Sequence, residues 1–83
     1  PIICMFRGIK IYMYWNDHMP PTFMQNMAEE VIISINDLDV FEGNIPHKQL
    51  NIVLGWAAFH QEELIENWKL VGDEQELFEI KPM

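Results

Sequence analysis

Ile9-Lys10-Ile11-Tyr12-Met13-Tyr14-Trp15 is the stretch on which the fold class turns, because its apolar positions recur at every second residue. Ile9, Ile11, Met13 and Trp15 share one face, and Lys10, Tyr12 and Tyr14 the other. That is the period of a β-strand with one buried side. Upstream, Ile2 to Phe6 is a short apolar run closed by Arg7-Gly8, which reads as a strand, a turn and hence a hairpin. Downstream, Phe23 to Gln25 begins another extended segment, and Val31, Ile33 and Ile35 alternate again after Ala28-Glu29-Glu30. Asn36-Asp37 is a turn signal, and Leu38 to Glu42 is a short return strand ended by Gly43-Asn44. These pieces predict an antiparallel meander with one face in need of cover.

The cover is read from the second half of the chain. Pro46 suits the first position of a helix, where its missing N–H is not needed, with Asn44 or Ile45 just outside. Leu50, Val53, Leu54, Ala57, Leu64, Ile65 and Trp68 recur at three- and four-residue steps, so they form one stripe as far as Leu70. Trp56 and Phe59 widen the stripe, and Gly72 is the stop. One helix of that length spans roughly 35 Å, enough to cross a small sheet. Leu77 to Ile80 alternates weakly, with the length to dock as an edge strand before Pro82. The expectation is an α+β fold: a small antiparallel sheet of about four strands, covered by one long helix.

A chain of 83 residues is one domain, residues 1–83. Hydrophobic residues make up 49%, too many for a disordered chain and too interrupted for a membrane span. Arg7 and Lys10 break the apolar start, so no signal peptide is read there. The lone Cys4 precludes an internal disulfide and points to a cytoplasmic protein, with the thiol a small buried hydrophobe. Net charge is −8, and the five cations, Arg7, Lys10, Lys48, Lys69 and Lys81, form no stripe, so direct binding to a nucleic-acid backbone is not expected. Glu62, Glu63, Glu66, Asp73, Glu74, Glu76 and Glu79 crowd the last quarter, a solvated surface that also suits a basic partner.

Chemistry-bearing side chains gather in Asn16-Asp17-His18-Met19-Pro20-Pro21-Thr22-Phe23-Met24. Two consecutive prolines fix φ and push Met19 toward extended backbone, so the segment is a stiff elbow. Asp17 and His18 at its entrance read either as a carboxylate orienting a base, or as a turn cap beside a space-filling ring. His60, with Glu63 one turn on, is the second candidate. It is read as a packed histidine unless the helix brings it beneath the elbow. Tyr12, Tyr14 and Trp15 lack neighbouring cations and read as sheet packing rather than a base-stacking platform. His47, in the first helical turn, reads as exposed.

Gly8, Asp17-His18 followed by Pro20-Pro21, Asp37-Leu38, Glu42-Gly43, Pro46, Trp56-Ala57, His60, Glu62-Glu63-Leu64 and Asn67-Trp68 together resemble the bacterial family named domain of unknown function 4160. The resemblance covers nearly the whole chain. It implies a small stand-alone cytoplasmic protein, often encoded beside another short protein in an arrangement like that of toxin–antitoxin pairs, and it carries no accepted activity. The family's elbow reads Asp-His-x-Pro-Pro-His-x-His, whereas Thr22 and Met24 stand here in place of the last two histidines. Three imidazoles around a rigid diproline make a credible metal or acid–base site; one does not, since zinc takes three or four protein ligands. No metal and no cofactor is therefore expected.

What those substitutions leave is greasier. Met19, Phe23, Met24 and Met27 cluster at the elbow, and methionine surfaces repack readily against proteins. The expected function is a non-catalytic protein–protein interaction module, possessing another small protein or a second copy of itself as partner, of the toxin–antitoxin type. The alternative is a small metal-dependent or acid–base enzyme acting on nucleotides or nucleic acid through Asp17, His18, His60 and Glu63.

Overall fold

A computed structural model describes residues 1–16, 19–26 and 29–82, the side chain of Asn26 excepted. Five strands, β1 (Ile2–Phe6), β2 (Ile9–Tyr12), β3 (Thr22–Asn26), β4 (Glu30–Ser34) and β5 (Asp39–Gly43), form one antiparallel sheet in chain order. Two helices follow, α1 (His47–Phe59) and α2 (Gln61–Gly72). The fold is α+β, as the alternation and the apolar stripe predict.

Local chemistry sets each turn. Arg7 and Gly8 both take positive φ, 52° and 75°, the combination that lets a two-residue hairpin follow the strand twist. Ser34 closes the β4–β5 turn: its carbonyl accepts from the Leu38 N–H at 2.9 Å and its hydroxyl from the Asp37 N–H at 3.2 Å. Gly43 ends β5 at φ 93°, with a β-carbon position only 2.5 Å from the Glu30 carbonyl oxygen, so no larger residue fits there.

The predicted periods decide which face is buried. Ile9, Ile11, Phe23, Val31 and Ile33 are all buried on the side that meets the helices. Trp56 of α1 is wholly buried among them, its ring 5.8 Å from Phe23 and 6.1 Å from Phe6. Its indole N–H donates to the Lys81 carbonyl at 2.9 Å. Trp56 is thus the centre of the core rather than a margin of the stripe, whereas Phe59 is 64% exposed and does not widen it.

Three finer expectations are corrected. The sheet has five strands rather than about four, because the short segment after the diproline is a full central strand, paired with both β2 and β4. β2 stops at Tyr12 instead of Trp15. The register would bring Trp15 opposite Pro21, which has no N–H to offer a ladder, and the Met13 N–H donates instead to the Pro1 carbonyl at 3.1 Å. The single long helix is two helices meeting at His60, whose φ −111° and ψ 22° leave the helical region. Backbone bonds still bridge the bend, from the His60 N–H to the Trp56 carbonyl and from the Leu64 N–H to the His60 carbonyl, both 3.0 Å. Gln61 fixes it from outside, donating through Nε2 to the Ile35 carbonyl at 2.8 Å. Pro46 is the residue before the helix rather than its first, and its carbonyl accepts from the Leu50 N–H.

The last segment is no edge strand. Residues 75–82 run irregularly along β1, joined to it by one backbone bond from the Ile80 N–H to the Ile3 carbonyl at 2.8 Å. β1 carries a register shift between Ile2 and Cys4, which breaks the regular edge that a sixth strand would need. Ile80 is nevertheless buried, and the tail closes that side of the core.

Candidate functional site

The elbow is held at both ends by backbone and aromatic contacts. The Met19 N–H donates to the Asn16 carbonyl at 3.1 Å, closing the turn, and the Ile35 N–H donates to the Pro21 carbonyl at 2.9 Å, fastening the diproline to the end of β4. Trp15 leans on Trp68 of α2 with ring centroids 4.9 Å apart. Gly72 leaves the room this requires: a β-carbon there would lie 2.8 Å from the Trp15 ring. Asp17, His18 and Met27 fall outside the described residues. Met19 is half-buried, and Phe23 is fully buried against Trp56, so it belongs to the core and not to a binding surface.

His60 and Glu63 do meet. Nδ1 of His60 lies 2.5 Å from Oε1 of Glu63, one helical turn on. The ring is 8% exposed and packed between Trp56 and Phe59, at centroid distances of 5.4 and 5.0 Å. With Nδ1–H donating to the carboxylate, the lone pair resides on Nε2. Nε2 is buried and has no hydrogen-bond partner. A carboxylate-oriented imidazole with a free inner nitrogen can accept a proton or a hydrogen bond, or ligate a metal. Among the described residues, however, no group of three or more His, Cys, Asp or Glu side chains is placed to hold a metal ion.

The other surface of note is the side of the sheet that faces away from the helices. Ile2, Tyr12, Met24 and Ile32 stand in register across four strands, Ile2 opposite Tyr12, Tyr12 opposite Met24, and Met24 opposite Ile32. Cross-strand partners share a face, and the intervening Ile11, Phe23 and Ile33 are buried on the helix side, so this row points outward. The row is open toward β1 and β2, whereas Ile32 at its β4 end is buried, as are Thr22 and Ser34 on the same face. Met24 and Tyr12 are half-buried and Ile2 is 53% exposed, with Met5 and Tyr14 exposed nearby. The Tyr12 hydroxyl donates to the Glu30 carboxylate, and Glu42 lies opposite Ile32, so the β4–β5 end of the row is acidic.

Residues 8–69 match the family model described as domain of unknown function (DUF4160). The chain belongs to the DUF4160 family. No curated protein and no solved structure matches it. The span that matches takes in the elbow and the His60–Glu63 pair, and leaves out all of β1 together with the tail, the two segments that bond to each other through Ile3 and Ile80. Thr22 and Met24, where the resemblance expects histidine, both face the helix-free side of β3, because Phe23 between them faces Trp56. Imidazoles at those two positions would point away from the helix layer that carries His60.

Two features escaped the sequence reading. Gln25 occupies the core-facing position two residues after Phe23 and is fully buried, with both amide atoms unpaired. Its parity with Phe23 was the signal. The outward row was half read, through Met24; the registers that add Ile2, Tyr12 and Ile32 depend on pairings no local pattern states.

Proposed function

We propose that this DUF4160 protein is a non-catalytic interaction module of the bacterial cytoplasm that holds a second small protein against the helix-free face of its sheet, in the manner of one half of a toxin–antitoxin pair. The observation that carries this reading is the outward row Ile2–Tyr12–Met24–Ile32, apolar across four strands, exposed at Ile2, half-exposed at Tyr12 and Met24, and buried at Ile32. Solvated sheet faces ordinarily alternate to polar residues, and a continuous apolar row on one marks a contact surface. Glu30 and Glu42 beside it, and a net charge of −8, favour a partner whose apolar patch is rimmed by cations.

The test is native mass spectrometry of the tagged chain drawn gently from the lysate of its source organism, run beside Met24→Asp. A metal-free complex with a second small protein is expected for the wild type. Burying an aspartate where Met24 stood should weaken that complex by roughly tenfold to a hundredfold, from ~1.5–3 kcal/mol of lost burial. A folded Met24→Asp chain that retains its partner undiminished would sink this surface.

A second reading, acid–base catalysis on a nucleotide or oligonucleotide, has one specific observation in its favour: the buried, unpartnered Nε2 of His60 beside Glu63. It requires turnover by the wild-type chain that His60→Gln abolishes while the unfolding midpoint stays put. Absence of turnover against both substrate classes removes it.

A further inference from the structure

Gly55 sits in the middle of α1, where glycine is less favourable than alanine by about 0.5–1 kcal/mol. Outside the helix itself and its chain neighbours, no heavy atom lies within 4 Å of the position its β-carbon would take. Nothing within the fold asks for the missing side chain. The residues around it form a second stripe on the helix: Lys48, Ile52, Gly55, Phe59 and Glu62 follow at steps of four, three, four and three, the spacing of a helix–helix seam. At ~100° per residue they share one face, turned away from the buried Val53, Trp56 and Ala57. The hydrogen bonds that bridge the bend at His60 keep Glu62 in phase with α1. Lys48, Gly55 and Glu62 are exposed, Ile52 is half-buried, and Phe59 is 64% exposed.

We propose that this face binds a second copy of the same chain, α1 against α1 in antiparallel sense, about a two-fold axis at Gly55. The sequence around the glycine is self-complementary in that sense. Lys48 lies seven residues before Gly55 and Glu62 seven after, so a two-fold axis sets Lys48 against Glu62 of the partner subunit, twice. A parallel pair would instead set Lys48 against lysine and Glu62 against glutamate. Phe59 lies four residues after the glycine and Asn51 four before, so Phe59 of the partner subunit comes opposite Asn51. There a shallow depression of about 280 Å³, lined by Phe6, Arg7, Asn51, Ile52, Gly55 and Trp56, receives its ring. Glycine at the crossing lets the two helix backbones approach and leaves that depression open. Each copy carries −8, but at physiological salt repulsion beyond about 8 Å is screened, and the charges at the contact are of opposite sign.

This surface is separate from the outward row of the sheet and stands or falls apart from it. Sedimentation equilibrium of the full chain tests it with five variants. The wild type sediments as a dimer. Lys48→Glu and Glu62→Lys each set like charges together at both symmetric contacts and weaken the dimer about tenfold, while the Lys48→Glu/Glu62→Lys double variant restores it. Gly55→Leu raises the melting temperature of the subunit and yields a monomer. A monomeric wild type overturns the proposal, as does a dimer indifferent to the single reversals or a double variant no better than either. A monomer whose capture of a different protein is lost in Gly55→Leu gives the face to a foreign helix and overturns it equally. Met24→Asp leaves the dimer intact, which separates this result from that of the sheet face.

Discussion

The side-chain amide of Asn67 pairs with the backbone of Phe78 as a strand neighbour would. Nδ2 donates to the Phe78 carbonyl at 2.9 Å, and the Phe78 N–H donates to Oδ1 at 3.1 Å. Asn67 is wholly buried, so both bonds are made away from water. Asn67→Ala should cost ~1–3 kcal/mol by losing two bonds and leaving a void. Urea unfolding measures this, and a change smaller than the error of the fit would show that the tail needs no such clasp.

Cys4 lies behind the same tail, in a depression of about 300 Å³ that Ile3, Glu79, Ile80 and Pro82 also line. Desolvation pushes its thiol above the ordinary range, outweighing the Met5 backbone and Trp56 contacts that pull the other way. The unfolded chain therefore loses this proton at lower pH than the folded one. Stability is unaffected while both forms hold the proton, and falls as pH rises through the ordinary thiol range, between about pH 8 and 10. Urea midpoints across that window should drop more steeply for the wild type than for Cys4→Ala. At neutral pH a thiol reagent should label Cys4 slowly, and faster in Asn67→Ala.

Gln25 is a core residue with nothing to bond to. Both amide atoms are buried and unpaired, between Ile11 and Val31 in the ladder. An unmet polar group of this kind costs ~1–3 kcal/mol, so Gln25→Met, close in shape and free of polar ends, should stabilise the fold by a similar amount. Chemical denaturation decides it, and a destabilised variant would mean that the amide is satisfied after all.

Gly72→Ala sets two effects against each other. The new methyl meets the Trp15 ring at 2.8 Å, yet Trp15 is 48% exposed and can swing outward. Alanine also favours the last turn of α2 by up to about 1 kcal/mol. The expected result is a melting temperature shifted little in either direction, with a weakened near-ultraviolet dichroism as Trp15 leaves Trp68. An unchanged aromatic spectrum would show that the ring never had to move.

Where the sequence was legible, a single period carried the information. Ile9, Ile11 and Met13 alternate and are buried together, and Val31, Ile33 and Ile35 repeat the pattern. His60 and Glu63 stand three apart on one helix face, a spacing that already sets them within reach of each other, and they meet. The bend at His60 was invisible for a definite reason. Only one residue leaves helical geometry, so Val53, Trp56, Ala57, Leu64, Asn67 and Trp68 keep the phase of one stripe, and phase does not record direction. Phe23 was misplaced because an elbow suggests exposure, whereas its role is set by Trp56, thirty-three positions further on. Asp17 and His18, the most chemical pair in the chain, lie outside the described residues and stand as expectations.

The two borders of the sheet are unlike. The tail lies along β1, while β5 has no strand beyond it among the described residues. A ribbon with one sealed margin can lengthen on the other side only, and two such ribbons joined at their free margins have none left. A chain ending at Gly72 would possess two free margins, and each added copy would present another. Residues 73–82 thus cover the β1 margin, and light scattering from the shortened chain over hours would reveal whether uncovering it lets copies add to one another.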